Sequence, residues 1–273
     1  MENHELVREQ YGTSPLQDRV NQALELAGLR QGKLNWSDLV PLDQFHVRGL
    51  GATRELAESL GIEAGLDLLD IGSGLGGPAR FLAANYGCRV IGVDLSQPFV
   101  DVATMLSDRC GLNETTVFKQ ADALSLPFAD ESFPLAWTQH VAMNIANRSK
   151  FYSEIARVLK PGGRLAIYDI IEGNGQPLHY PVPWARQSEM SHLFTADAMH
   201  DALERSGLRE VSWADKSVTA LSWFAEVQSN LAAAPPLSIA VVMGPEFLTM
   251  ARNLNQNLHE GRVRIVQAIF ARE

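Results

Sequence analysis

Cysteine is scarce: the chain has two, Cys88 and Cys110, in 273 residues. Neither stands in a CxxC pair or at a Cys/His metal-ligand spacing. A disulfide framework is therefore excluded as an organising feature, no metal site is expected, and the two read as reduced core thiols of a cytoplasmic protein. Positive charge is also short. Lys and Arg number 23 against 32 Asp and Glu, a formal net charge of −9, with no basic run to meet a phosphate backbone. Nucleic acid is thus disfavoured as a partner. No apolar stretch reaches the roughly 18 residues of a membrane span, so no membrane partner is expected. The opening MENHELVREQYG is polar and charged and does not read as a signal peptide. Internal repeats and low-complexity tracts are absent too. What is present, 46% hydrophobic and 20% charged residues, is an ordinary globular balance. The length suits one large domain with insertions.

Residues 1–60 read as helices and loops. QDRVNQALELAGL sets Val20, Leu24 and Ala27 on one helical face, and ATRELAESLG does the same for Leu56, Ala57 and Leu60. From residue 66 short apolar runs alternate with amphipathic segments. Strands are expected at LDLLDI, RVIGVD (89–94), TTVFKQAD (115–122), FPLAWTQH (133–140), RLAIYDII (164–171), REVSWADKS (209–217) and the closing RVRIVQAIFAR. Helices fall between them, one opened by Ser96 as N-cap and closed by Gly111, another stopped by PGG at 161–163. This alternation predicts an α/β fold: a Rossmann-like, seven-stranded, mostly parallel sheet with helices on both faces. The organisation expected is an N-terminal helical lid, 1–60, and one domain, 61–273. Insertions near 172–194 and 218–260 would form the substrate side.

LDLLDIGSGLGGPARF (66–81) carries four glycines within six positions, directly after an apolar run ending in an acid. Gly72, Gly74 and Gly77 satisfy G-x-G-x-x-G, a turn between strand and helix that lets a ligand approach backbone; Gly77 is expected to pack the helix against the sheet. The ligand is decided by the acids. Asp70, two residues before the first glycine, would repel a pyrophosphate and attract an ammonium or sulfonium. Asp94 ends the second strand, where a carboxylate can accept ribose hydroxyls. Asp122 ends the third and can accept the exocyclic amine of adenine, with Ala123 offering its backbone N–H. Three acids at three successive strand ends suit a positively charged adenosine, S-adenosylmethionine, better than a dinucleotide. An NAD-dependent oxidoreductase is the disfavoured rival.

Four segments together, LDIGSGLGG (69–77), GVDLS (92–96), QADALSLPFADESFPLAW (120–137) and RVLKPGGRLAIYD (157–169), make the sequence resemble the class I S-adenosylmethionine-dependent methyltransferases. Within these it is similar to small-molecule enzymes of the ubiquinone and sarcosine/dimethylglycine types. LDQFHVRGLGATRELA (42–57) and WTQHVAMNIANR (137–148) carry the latter likeness. The resemblance implies that Asp70 and the turn of Gly72, Ser73 and Gly74 hold the methionine part. It assigns the ribose to Asp94, an adenine face to Leu95, and the adenine edge to Asp122 and Ala123. Gln139 and His140 would lie near the transferable methyl, and Gln44 and His46 would come from the lid. Related enzymes often carry an acid near the position of His140.

Methyl transfer from a sulfonium expels a neutral leaving group, so alignment is the protein's main task. A base is needed only when the nucleophile must lose a proton. His140 is the first candidate for that role, with His46 and Tyr168 beside it. Asn144, Tyr180 and Trp184 are candidates for substrate contact, and Trp223 and Phe224 for an apolar wall. The expected function is methyl transfer to a small molecule, an amine or the oxygen or carbon of a natural product, leaving S-adenosylhomocysteine. The alternative is a non-catalytic or repurposed S-adenosylmethionine-binding protein. Whether the chain forms a homodimer is left open.

Overall fold

The computed structural model describes residues 16–229 and 235–273. Seven strands form one sheet: β1 (Asp67–Ile71), β2 (Arg89–Asp94), β3 (Thr116–Gln120), β4 (Phe133–Gln139), β5 (Leu159–Glu172), β6 (Leu208–Asp215) and β7 (Val263–Arg272). Their order is β3-β2-β1-β4-β5-β7-β6. Pairing is parallel from β3 to β5, whereas β7 runs antiparallel to both β5 and β6. The order reverses between β1 and β4, so a crevice opens there at the carboxyl ends of the strands. Leu68, Leu69 and Ile71 of β1 are all buried, as a parallel strand covered on both faces requires.

Among the described residues the α-helices are α1 (Leu16–Leu26), α2 (Val40–Asp43), α3 (Leu50–Glu58), α4 (Gly77–Tyr86), α5 (Gln97–Cys110), α6 (Arg148–Val158), α7 (Ala196–Glu204), α8 (Ser217–Ser229), α9 (Ala240–Met243) and α10 (Phe247–His259). Gly87 and Gly111 end α4 and α5 in the left-handed conformation, at φ 67° and 69°, the C-cap role glycine fills without strain. Two apolar clusters sandwich the sheet. A third joins Val20, Leu24, Leu39 and Leu42 of the N-terminal segments to Val102 and Leu106 of α5.

Three local expectations need correcting. PGG does not separate α6 from the next strand: β5 begins at Leu159, opposite Phe133, and its register shifts before Arg164 meets Leu135. The glycines sit in that irregularity, with Gly162 at φ 73°, because a bulge absorbs them without breaking the ladder. Ser96 holds the N-cap position of α5, yet its side chain makes no cap bond. Its backbone N–H instead donates to Asp94 Oδ1 at 2.9 Å. Gly77 is not the packing point of α4 on the sheet. A Cβ there would stand 2.4 Å from the carbonyl oxygen of Asp43, so its bareness admits the N-terminal segment. The helix expected at LSWFAEVQSNLAAA is found as α8 up to Ser229; 230–234 lie outside the described residues, as do 1–15.

That segment is clamped from below. Arg80, fully buried on α4, pairs with Asp43 at 2.8 Å and donates to the carbonyls of Leu75 and Ala103 and to Ser107. Arg80→Met strands the Asp43 carboxylate in the interior. Breaking one side of a buried pair costs about 3–5 kcal/mol, so the urea midpoint should fall steeply. A loss below about 1 kcal/mol, the range of an exposed pair, would show that the clamp holds nothing.

Candidate active site

The crevice deepens into a cavity of about 800 Å³, towards the upper end of the roughly 300–1,000 Å³ usual for small-molecule sites. One end is made by strand termini and backbone. Gly72, at φ 74°, and Gly74, at φ 53°, turn the chain out of β1. A Cβ on Gly72 would meet Val141 at 2.3 Å, and one on Gly74 would touch Phe45 at 3.0 Å. Asp94 at the end of β2 accepts from the N–H of Gly74 at 3.0 Å and of Ser96. Beyond β3, Asp122 accepts from Leu124 N at 2.8 Å. Each acid is thus fixed by backbone donors.

Below the turn, Asp70 is buried and its Oδ2 has no hydrogen-bond partner. Burial, reinforced by the nearby Asp94 carboxylate, pushes its pKa up to about 7. Burial also raises Asp94.

Thr53 on α3 ties the opposite side together. Its hydroxyl lies 2.8 Å from Gln44 Oε1, 2.9 Å from His46 Nε2 and 3.3 Å from Gln139 Oε1. Trp137 Nε1 donates to the same Gln139 oxygen at 2.9 Å. Both glutamine oxygens are therefore engaged, while Gln44 Nε2 and Gln139 Nε2 are buried donors with no acceptor. His46 Nε2 also faces the carbonyl of Gly49 at 3.0 Å. A carbonyl only accepts, so Nε2 carries the proton and Nδ1 is the bare nitrogen. Burial drives the His46 pKa down to about 4.

His140, just past β4, has φ 53°, a conformation rare outside glycine. Its N–H bonds the Tyr168 carbonyl at 2.8 Å, and its ring stacks on Tyr168 with centroids 5.5 Å apart. The His46 ring meets both edge-on, at 6.0 and 5.9 Å. Burial, with His46 beside it, holds His140 well below the usual imidazole pKa. Burial likewise raises the Tyr168 hydroxyl, against the opposing pull of the Arg48 guanidinium beside it. The group can therefore accept or relay a proton but does not carry charge near neutrality.

Of the residues singled out from sequence, His46, Gly72, Gly74, Asp94, Leu95, Asp122, Ala123, Gln139, His140, Asn144 and Trp184 line the cavity. Gln44, Asp70, Ser73 and Tyr168 are buried around it, and Gly77 meets Asp43 away from it. Tyr180 is half-buried against the core cluster on the α8–α10 side and does not line the cavity. Sequence reasoning missed Phe45, Phe99, Val141, Thr53 and Arg252. Phe45 had a signal, since it stands between two residues assigned to the site. Thr53 had none, because its partners come from two separate segments, Gln44 and His46 in one and Gln139 in the other.

Residues 69–167 match the family described as a methyltransferase domain. The methyltransferase GfsG of Streptomyces halstedii is 39% identical over 136 residues, 50% of this chain and 49% of that one. The O-methyltransferase cnsE of Penicillium expansum is 31% identical over 182 residues, 66% of this chain and 65% of that one. In both, the likeness spans less than two thirds of the relative's own length. A geranyl diphosphate C-methyltransferase from Streptomyces coelicolor A3(2) superposes with a TM-score of 0.73 over 99% of this chain and 97% of that one. Its identity is 17%, so the likeness is one of fold.

The tautomer is directly testable. In ¹⁵N-edited NMR spectra His46 should appear as the Nε2–H form and titrate near pH 4. An Nδ1–H form would refute the hydrogen-bond assignment, and a midpoint near the ordinary 6.5 would refute the desolvation of the ring.

Proposed function

The chain carries a class I S-adenosylmethionine-dependent methyltransferase domain, and on that premise we propose that it moves the sulfonium methyl group to a small molecule held in the apolar half of its cavity. One observation carries the reading. Buried polar atoms are almost always paired, yet among the described residues the strand ends hold an acceptor without a donor, Asp70 Oδ2, and a donor without an acceptor, Gln139 Nε2, and the N-terminal segment adds a second such donor, Gln44 Nε2. An ammonium and a carboxylate on one ligand satisfy all three. That is the amino-acid end of S-adenosylmethionine. Asp94 then takes the ribose hydroxyls, Asp122 and the Ala123 N–H the adenine edge, and Leu95 a face of the base.

When bound, the cofactor supplies an electrophilic methyl and a neutral thioether leaving group. The chain supplies alignment and exclusion of water. Orientation alone contributes on the order of 7–11 kcal/mol in well-held cases. His46 and His140 stay neutral, and His46 Nδ1 is free to accept the proton of a hydroxyl, amine or activated carbon nucleophile. Tyr168 sets the ring plane of His140. In this reading the segments up to residue 60 cap the glycine turn, and the insertions near 172–194 and 218–260 build the substrate side. The net charge favours a small molecule over nucleic acid. No helix among the described residues is long and apolar enough to cross a membrane; the two buried free thiols, Cys88 and Cys110, are what support a cytoplasmic enzyme.

S-adenosylhomocysteine should raise the melting temperature and NAD should not. Asp94→Ala should weaken S-adenosylhomocysteine at least tenfold by calorimetry. Absence of binding to the unaltered protein would overturn the reading. Between pH 5.5 and 7 Asp70 is largely protonated in the empty site, whereas the ammonium needs its carboxylate. Affinity should therefore rise with pH, by at most about tenfold per unit, and level off above about 7. Asp70→Asn should flatten that profile; a profile of the same slope in the variant would remove Asp70 from the site. His140→Ala should lower turnover on an accepted substrate more than cofactor affinity, and unchanged turnover would take His140 out of the reaction.

A further inference from the structure

The far half of the cavity is walled by Trp184, Trp223, Phe224, Met243 and Leu248. One cationic side chain, Arg252 of α10, stands among the described residues of this lining that carry permanent positive charge. Leu248, Ala251, Arg252 and Asn255 recur at i, i+3, i+4 and i+7, so one helix face turns all four to the cavity. Among the described residues, no hydrogen bond or ion pair engages Arg252 or Asn255. The acids flanking α10 are already taken. Glu246 pairs with Arg186, and Glu260 with His179 and Arg262. The acids of the cavity lining, Asp94 and Asp122, are fixed by backbone N–H groups at the sheet edge. Arg252 is exposed and Leu248 beside it is 61% exposed, so this face of α10 forms the rim of an aromatic chamber.

A guanidinium without a counter-ion, next to an amide and above an apolar enclosure, matches one kind of molecule. It has an apolar body that fills the chamber and a planar anion at its outer end. The fork of N–H donors on arginine fits a carboxylate bidentately. We propose that Arg252, supported by Asn255, anchors a carboxylate of the substrate, and that the methyl acceptor is a bulky apolar acid held by its acid end at the rim. The reacting centre then points away from Arg252, towards His46 and His140. This rests on the proposed methyl transfer only for which half of the cavity the cofactor fills.

Two isosteric probes test it on the full chain saturated with S-adenosylhomocysteine: 1-naphthaleneacetate and the neutral 1-naphthaleneacetamide. Titration calorimetry should find the acid bound about tenfold tighter than the amide, a modest factor because the cation is partly solvated. The preference should shrink as salt rises. Arg252→Gln should erase the preference while the amide and S-adenosylhomocysteine bind as before, and Arg252→Lys should restore part of it. The proposal is overturned if the acid does not bind, if acid and amide bind alike, or if the preference survives in Arg252→Gln. A chain that fails to bind S-adenosylhomocysteine yet prefers the acid through Arg252 would instead overturn the assigned function and leave this subsite standing.

Discussion

The N-terminal wall of the cofactor end depends on one buried contact, the pairing of Arg80 with Asp43. Arg80 is reached by no water and spans four parts of the molecule: α2, the glycine turn at Leu75, and two positions of α5, Ala103 and Ser107. The contact is not a simple gain. Desolvation outweighs the attraction and leaves the Asp43 carboxyl raised to about 6, with Oδ1 unpartnered. Its effect is geometric. It presses Asp43 onto Gly77, sets Phe45 over Gly74, and so delivers Gln44 and His46 to the site from outside the sheet. The N-terminal segment is in this sense a wall of the site, fixed from beneath.

The electrostatics follow from the same enclosure. Burial pushes Asp70 and Asp43 up and both histidines down. Near neutrality the two histidines are therefore uncharged and Asp70 is only partly ionised, although the site is built from ionisable groups. Groups kept neutral by desolvation are the ones a charged ligand can recharge, and in a low dielectric each such pairing is worth more than at the surface. A sulfonium that loses its charge on reaction would meet a wall that tolerates that loss, because the nearest rings are already neutral.

How much of this was legible follows from how each residue acts. The βαβ core was readable because parallel strands buried on both faces write themselves as apolar runs. Gly72 and Gly74 were readable because glycines spaced in this way directly after an apolar run mark a turn that opens backbone to a ligand. Asp94 and Asp122 were readable because they sit where strands end. The Thr53 hub was not, since one hydroxyl in an ordinary helical stretch acquires meaning only when Gln44, His46 and Gln139 converge on it. The start of β5 was misjudged because PGG stops a helix as readily as it forms a bulge. Tyr180 was drawn to the site by its aromatic neighbourhood, where Trp184 lines the cavity and Tyr180 packs beside it.

The two halves of the cavity are built by different means, and this bears on what could change between relatives of this fold. The cofactor half is made of strand ends and backbone N–H groups, which move only if the sheet moves. The other half is made of side chains on α8, α9, α10 and the loop holding Trp184. These elements pack on the sheet through residues such as Ala220 and Leu258, which do not line the cavity, so the cavity-facing positions are free to change without disturbing that packing. His140 stands at the seam. Its left-handed backbone, held by the Tyr168 carbonyl, turns the chain out of β4 between the rigid half and the adaptable one. A group placed there keeps its relation to the methyl donor whatever acceptor the second half has been shaped to hold.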